Sequence, residues 1–308
     1  MTPGYPGRMP ATLPPIAMLG VGSMGGAILA GLARHGAERI VVTNRTAEKA
    51  AAVRLDGVES IALADEPGGN ARAVAGAELV VLGVKPAGIV DLAREIAPHL
   101  AADAVVVSIA AGTTAASIEA ALPASVAVVR AMPNTPSHVG LGVTGVAGGT
   151  RASDDDVALV ARMFEAVGEV IVVDESQIDA LSTISGSGPA YVFLLIEELT
   201  AAAERMGFTP EQAATMVQGT FRGASELLAA DGSVLKPLDE GAIREIAATL
   251  RDEAVESVAV AFLHSYVNPA HERRAGEILA EELPGVAITL SHVVCPEIRE
   301  YERTLVAC

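Results

Sequence analysis

Short apolar runs alternate with helical stretches along the first half of the chain. Residues 16–19 read as a strand and 25–36 as a helix. A second strand at 39–43 leads into a helix at 46–54 that begins at a Thr46 cap. The runs 79–84 and 104–109 are rich in Val, and 126–130 and 170–173 follow the same style. Strands apolar along their whole length, separated by helices, predict a parallel sheet covered on both faces. That pattern ends near Val173. The stretches 178–183, 189–206 and 210–230 place apolar residues at helical spacing with no strand signal between them. The pattern then changes again, to a helix from 238 to about 251, a strand at 257–263, a helix capped at Asn268-Pro269, and a strand at 286–293.

The first strand runs into Gly20-Val21-Gly22-Ser23-Met24-Gly25, which opens the first helix. Strand, G-x-G-x-x-G and helix in that order are the context of a Rossmann dinucleotide site. Gly20 permits the tight turn, Gly22 lets the backbone approach a pyrophosphate, and Gly25 allows close helix–strand packing. The second strand ends at Asn44-Arg45, where an NAD site usually carries an acidic residue. A guanidinium at Arg45 suits a 2′-phosphate, so NADPH is expected rather than NADH. Val84-Lys85-Pro86, Ala110-Ala111-Gly112 and the loop holding Asn134 also follow strands, at the ends that face the ligand crevice of an open α/β sheet.

The expected architecture is therefore a tail at 1–15 and an α/β Rossmann-like doubly wound sheet at 16–173. A partial all-helical domain for dimerisation and substrate contact follows at 174–231, and a small βαβ appendage at 232–308. At 308 residues and 51% hydrophobic content, the chain can bury more than one core. A net charge of −17 argues against a nucleic-acid surface, which needs clustered Lys and Arg. Cys295 and Cys308 make no disulfide framework, and a reducing cytoplasm is expected. No apolar stretch is long enough to span a bilayer, and residues 1–15 hold five prolines and no signal-peptide core.

From Ile16 to about Leu228 the chain resembles pyrroline-5-carboxylate reductase. The resemblance rests on the Gly20–Gly25 turn, Asn44-Arg45, Val84-Lys85-Pro86 and Ser108-Ile109-Ala110-Ala111-Gly112. Two more specific pieces are Arg130-Ala131-Met132-Pro133-Asn134-Thr135-Pro136 and Ser185-Gly186-Ser187-Gly188-Pro189-Ala190-Tyr191. The resemblance implies NADPH-dependent reduction of 1-pyrroline-5-carboxylate to proline in a homo-oligomer. It implies cofactor contacts at Gly20, Gly22, Ser23, Met24, Gly25, Asn44, Arg45, Val84, Lys85, Pro86, Ala110, Ala111 and Gly112. Asn134 would sit by the nicotinamide, with Ser185, Gly186, Ser187, Gly188 and Glu197 towards an imino-acid substrate. No metal is implied, and His138 reads as a loop histidine.

In that family the helix matching 210–230 is followed by a Thr-Ser-Pro-Gly-Gly-Thr-Thr segment that binds the substrate carboxylate, and no such segment occurs here. From about Ser233 the chain instead resembles the N-terminal region of hydantoinase A and 5-oxoprolinase subunits. That likeness is carried by residues 255–266, by Asn268-Pro269-Ala270-His271-Glu272, and by residues 296–304. A junction near Asp231-Gly232-Ser233 makes a nucleotide-binding chimera with little turnover, or a hydantoinase-related partner protein, the competing expectations. His264 and His271 lack a ligand spacing and a third ligand, so they read as structural or loop residues, and Cys295 as a lone buried thiol and not a reactive one.

Overall fold

In the computed structural model, residues 13–35, 37, 39–229, 234, 236–296 and 300–308 are described. The proposed junction at 231–233 and most of the expected N-terminal tail lie outside them. Contacts divide the chain into two compact units, 1–195 and 196–308.

The first unit is built on an eight-stranded sheet. Strands β1 (Ile16–Leu19), β2 (Ile40–Asn44), β3 (Val58–Ala62), β4 (Leu79–Leu82) and β5 (Val105–Ser108) are joined by α1 (Ser23–His35), α2 (Ala47–Ala52), α3 (Gly69–Val74) and α4 (Ile89–Ile96). Helix α5 (Ala115–Glu119), strands β6 (Ala127–Met132) and β7 (Gly142–Gly148), helix α6 (Asp154–Glu165) and strand β8 (Gly168–Val172) complete it. The strand order is β3-β2-β1-β4-β5-β6-β7-β8. Alternate residues of the central strands serve opposite faces. Ile16 and Met18 join a core with Ile28, Leu32 and Phe164, while Ala17 and Leu19 join one with Val74, Ile89 and Ile118. Both faces are therefore covered, which is why these strands read as unbroken apolar runs. Each fully buried Leu, Ile or Val there contributes about 2 kcal/mol of transfer free energy.

Two details depart from the expected parallel sheet. Strand β7 pairs antiparallel with β6, with Met132 opposite Gly145. The connection between them is a short 3-10 turn, Thr135–Val139, too brief to carry a crossover helix. Strand β8 is an edge strand with Ile171 and Val172 exposed, so the apolar run at 170–173 is not a buried one.

The role expected of Gly25 also moves. A Cβ on Gly25 would meet the Gly20 carbonyl oxygen at 3.5 Å, an ordinary contact, whereas one on Gly31 would lie 2.4 Å from Val167 Cγ1 and 2.7 Å from the Ala166 carbonyl oxygen. Gly31, one helix face further on, is the residue that lets α1 pack closely.

After β8 come α7 (Ile178–Leu181), a π-helical turn at Ser182–Gly186, and α8 (Gly188–Arg205), which crosses into the second unit. The second unit continues with α9 (Pro210–Ala229) and α10 (Glu240–Asp252). Strands β9 (Ser257–Val260) and β10 (Ala287–Leu290) pair in parallel through α11 (Ala270–Glu282), and α12 (Ser291–Val294) and α13 (Glu300–Ala307) follow. A small core of Ala247, Val260, Ala275, Leu279 and Leu283 holds α10 and α11 to the two strands. No helix of the described residues is long and apolar enough to cross a membrane.

The last two strands stop earlier than their apolar runs. At β10 the cause is Glu272. Its buried carboxylate accepts the Ser291 backbone N–H at 2.6 Å and faces His292 Nδ1 at 3.1 Å, which turns the chain into α12. Burial pushes the Glu272 carboxyl up, but donors from Ser265, Ser291 and His292 outweigh it and hold it below the ordinary 4.5. A depressed native value makes the charged form stabilising, fully so above 4.5, and that stability drains as the pH falls through the native value.

Two outcomes follow. Gly31→Ala should lower stability by about 1–3 kcal/mol in denaturant melts, while Gly25→Ala leaves it unchanged or slightly raised. Glu272→Gln should weaken protection of the β10–α12 amides at neutral pH and flatten their acid-dependent loss, as read by hydrogen exchange.

Candidate functional site

Strands β2, β1 and β4 end side by side. Leu19 is in register with Thr43 on one side and Leu82 on the other. Pairing continues one residue beyond, through Gly20 N–H to the Thr43 carbonyl (3.0 Å) and Gly83 N–H to the Leu19 carbonyl (2.8 Å). Strand order reverses between β1 and β4, so the loops that leave them part and open a crevice at their C-terminal ends. The cleft has a volume of about 830 Å³.

Three loops line it. The first gives Gly20, Val21 and Gly22, the second Asn44, Arg45, Thr46 and Lys49, the third Gly83, Val84 and Lys85. Gly20 has φ +85°, and a Cβ there would sit 2.7 Å from Val84 Cγ1. Gly22 differs, with nothing within 4 Å of the place a Cβ would take. No packing neighbour requires Gly22 to lack a Cβ.

The charge of the cleft opposes that of the whole chain. Arg45, Lys49 and Lys85 face it, and none of its described lining residues carries a carboxylate. The chain has only three lysines, and two of them are here. Lys49 is placed by α2, whose first turn is capped as expected, Lys49 N–H donating to Thr46 Oγ1 at 3.3 Å. Behind the wall, Thr43 Oγ1 donates to Asn70 Oδ1 (2.8 Å) and Asn70 Nδ2 donates to Glu95 (2.9 Å). Asn44 is buried, yet its Nδ2 has no hydrogen-bond partner among the described residues. An unspent buried donor beside three cations fits a phosphorylated nucleotide.

The remaining expected cofactor residues are placed less directly. Ser23 and Met24 begin α1, and Pro86 opens a 3-10 turn after Lys85. Ala110 is buried and Gly112 takes φ +73° in the turn after β5; neither they nor Ala111 line the cleft. His138, on the turn after β6, is hydrogen-bonded through Nε2 to Ser23 Oγ (3.2 Å), which joins that turn to the glycine loop.

The loops expected at the substrate end come together in the first unit. Asn134 is buried at the end of β6, and its Nδ2 donates to the Ser185 carbonyl at 2.9 Å. Its Oδ1 accepts the Val143 N–H at 2.8 Å. Both ends of the amide are thus spent on protein. Ser185, Gly186, Ser187 and Gly188 form the junction between the π-helical turn and α8, with Ser187 N–H donating to the Ser182 carbonyl at 3.2 Å. Such widened turns gather at functional sites. Glu197 is an exposed residue of α8 that falls in the second unit.

Sequence reasoning assigned no role to Gly83, Lys49 or Glu175, nor to Arg130, although Arg130 opens one of the family-like segments. Lys49 could have been found, since it lies one helical turn beyond Arg45. Arg130 could not, because its partner Glu175 (3.1 Å) is 45 residues away. Among the described residues no group of three His, Cys, Asp or Glu side chains is placed to hold a metal.

Known proteins resemble this chain in sequence and in fold. A family model described as pyrroline-5-carboxylate reductase dimerisation matches residues 175–254, and one described as NADP oxidoreductase, coenzyme F420-dependent, matches 15–112. The first runs past Leu228 and through the proposed junction to take in α10. Pyrroline-5-carboxylate reductases of Pseudomonas aeruginosa and Mycobacterium tuberculosis are each 38% identical over 221 residues. Those alignments cover 70% and 69% of this chain and 78% and 73% of the relatives. The solved pyrroline-5-carboxylate reductase of Coxiella burnetii superposes with a TM-score of 0.61 at 33% identity, over 85% of this chain and 97% of that one. A pyrroline carboxylate reductase of Plasmodium falciparum, solved with NADP bound, shares the fold with a TM-score of 0.61 at 22% identity, over 87% of this chain and 97% of that one.

The two cleft glycines should separate on substitution. Gly22→Ala should leave the melting temperature unchanged and weaken nicotinamide-nucleotide binding about tenfold or more by calorimetry. Gly20→Ala should instead destabilise the protein, because a left-handed turn and Val84 both resist a Cβ.

Proposed function

The chain belongs to the pyrroline-5-carboxylate reductase family, and on that premise we propose that it reduces 1-pyrroline-5-carboxylate to L-proline with NADPH, the last step of proline biosynthesis. The observation that carries the reading is the cationic, carboxylate-free cleft at the strand-order reversal, with the unspent Asn44 donor in its wall. Bound nicotinamide supplies a hydride to the C=N bond; the protein's part is to bind and orient.

In this reading the Gly20–Gly25 turn and the start of α1 take the pyrophosphate on their free N–H groups. Asn44 holds the adenosine ribose, and Arg45 with Lys49 takes the 2′-phosphate, which favours NADPH over NADH. Val84-Lys85-Pro86 and Ala110-Ala111-Gly112 form the middle of the cofactor channel. The Ser185–Gly188 junction and Glu197 face the imino acid.

The protein acts as a homo-oligomer in this proposal. Tyr191, Phe193 and Leu194 of α8 and Met216 of α9 stand exposed, more large apolar surface than a lone helical segment keeps in water. The division into 16–173, 174–231 and 232–308 is kept as a proposal, with the dimerisation-like part running on to residue 254 as its family match does. The last part is read as an α/β addition resembling the N-terminal region of hydantoinase A, supported by the parallel β9–α11–β10 unit; no hydantoinase activity is proposed for it.

A second reading, cofactor binding without turnover, is favoured by one fact: the family's Thr-Ser-Pro-Gly-Gly-Thr-Thr segment does not occur in the sequence. One experiment separates the two. Purified protein should oxidise NADPH at 340 nm when given pyrroline-5-carboxylate, with proline as product. Arg45→Ala should raise the KM for NADPH about tenfold and leave that for NADH nearly unchanged. Nucleotide binding with no proline formed would establish the second reading instead.

A further inference from the structure

The buried amide of Asn134 stands out because it does not do what an Asn at its position usually does. Asn134 precedes the 3-10 turn Thr135–Val139 in extended backbone (φ −124°, ψ 171°), the posture of a capping residue, yet its side chain does not cap that turn. It reaches outward in two directions instead.

One direction is the end of the sheet. The β6–β7 ladder ends with Met132 opposite Gly145. Carrying that register on brings Asn134 opposite Val143, and the Asn134 side-chain carbonyl accepts the Val143 N–H that the ladder no longer serves. The other direction is the π-helical turn, where Asn134 Nδ2 donates to the Ser185 carbonyl, 51 residues away in sequence. The two partners fix the orientation of the amide: one must receive a proton donor and the other an acceptor.

The far end of the same segment is held from the same stretch of chain. Arg130, buried on β6, donates to Glu175 Oε1 at 3.1 Å, and that oxygen also accepts the Ala115 N–H at 2.6 Å. Arg130 Nη2 lies 3.8 Å from Asp179 of α7. Residues 175–186 are therefore held at both ends from one stretch of chain, by Arg130 on β6 at the start and by Asn134, two residues past β6, at the finish.

We propose that Asn134 is a positioning residue: it sets the Ser185–Gly188 junction for substrate through the Ser185 carbonyl and does not itself contact the nicotinamide. The substrate half of this statement rests on the proposed imine reductase activity; the clamp half does not. A donor lost at Asn134 removes the turn's link to the chain after β6 and leaves Ser185 and Ser187 bonded only within their own segment, while the glycine loop and Arg45 stay as they are.

Asn134→Asp is the sharpest test, because it keeps the shape and the acceptor for Val143 but removes the donor to Ser185. The ionised carboxylate then faces a carbonyl oxygen. Hydrogen exchange of amides 185–190 should quicken about tenfold or more, while amides of α1 and the Kd for NADPH stay within about twofold. The KM for pyrroline-5-carboxylate should rise about tenfold with kcat changed less. Asn134→Ala should show the same pattern more strongly, and Asn134→Asp serves alone should the alanine variant not fold. Unchanged exchange at 185–190 overturns the clamp. Faster exchange with an unaltered KM overturns the positioning role. A wild-type protein that binds NADPH and forms no proline overturns the activity reading, and the exchange result still judges the clamp.

Discussion

Two backbone loops leave adjacent strands in the middle of the sheet and must pass in contact before they part. A Cβ on Gly83 would lie 2.4 Å from the Gly20 carbonyl oxygen, and one on Gly20 would press on Val84. Neither loop can yield, because each is the continuation of a strand paired on both sides to its last residue. That contact lies just ahead of the start of α1, and the cations of the second and third loops border the space between the loops. The glycines do separate jobs in one place. Gly20 and Gly83 make the crossing possible, and Gly22 leaves room beside it.

The strands at the centre were legible because burial on both faces leaves an apolar run with no polar interruption, as at residues 79–82 and 105–107. The glycine motif was legible for a similar reason: its spacing is dictated by local backbone geometry. What sequence reading missed depends on distance along the chain. The run 170–173 looks the same whether it lies in the centre or at an edge, and only pairing order decides that. The antiparallel turn of β7 is a matter of how little chain joins it to β6. Strand β10 ends because a glutamate 19 residues earlier takes the N–H of Ser291.

The same rule divides the site. The residues proposed to meet a phosphate follow one another closely after β1 and β2, so motif and charge reveal them. The residues that shape the other end meet across 45 and 51 positions, as Arg130 meets Glu175 and Asn134 meets Ser185. In the fold, β6 and the residues just after it become the common anchor of pieces that the sequence presents as unrelated loops. The segments that family likeness pointed to stand together there because of two polar side chains, Arg130 on β6 and Asn134 just beyond its end.

The scarcity of lysine gives the cleft a chemical identity of its own. Of three lysine amines in the whole chain, Lys49 and Lys85 border the cleft and Lys236 lies far along the chain in the second unit. Arginine carries nearly all other positive charge, and guanidinium groups are poor nucleophiles at neutral pH. An acylating reagent offered to this protein thus finds few sites, and two of them are at the mouth of the cleft. Amine labelling, which on most proteins marks the surface at large, here becomes a reporter of whether that one cleft is filled.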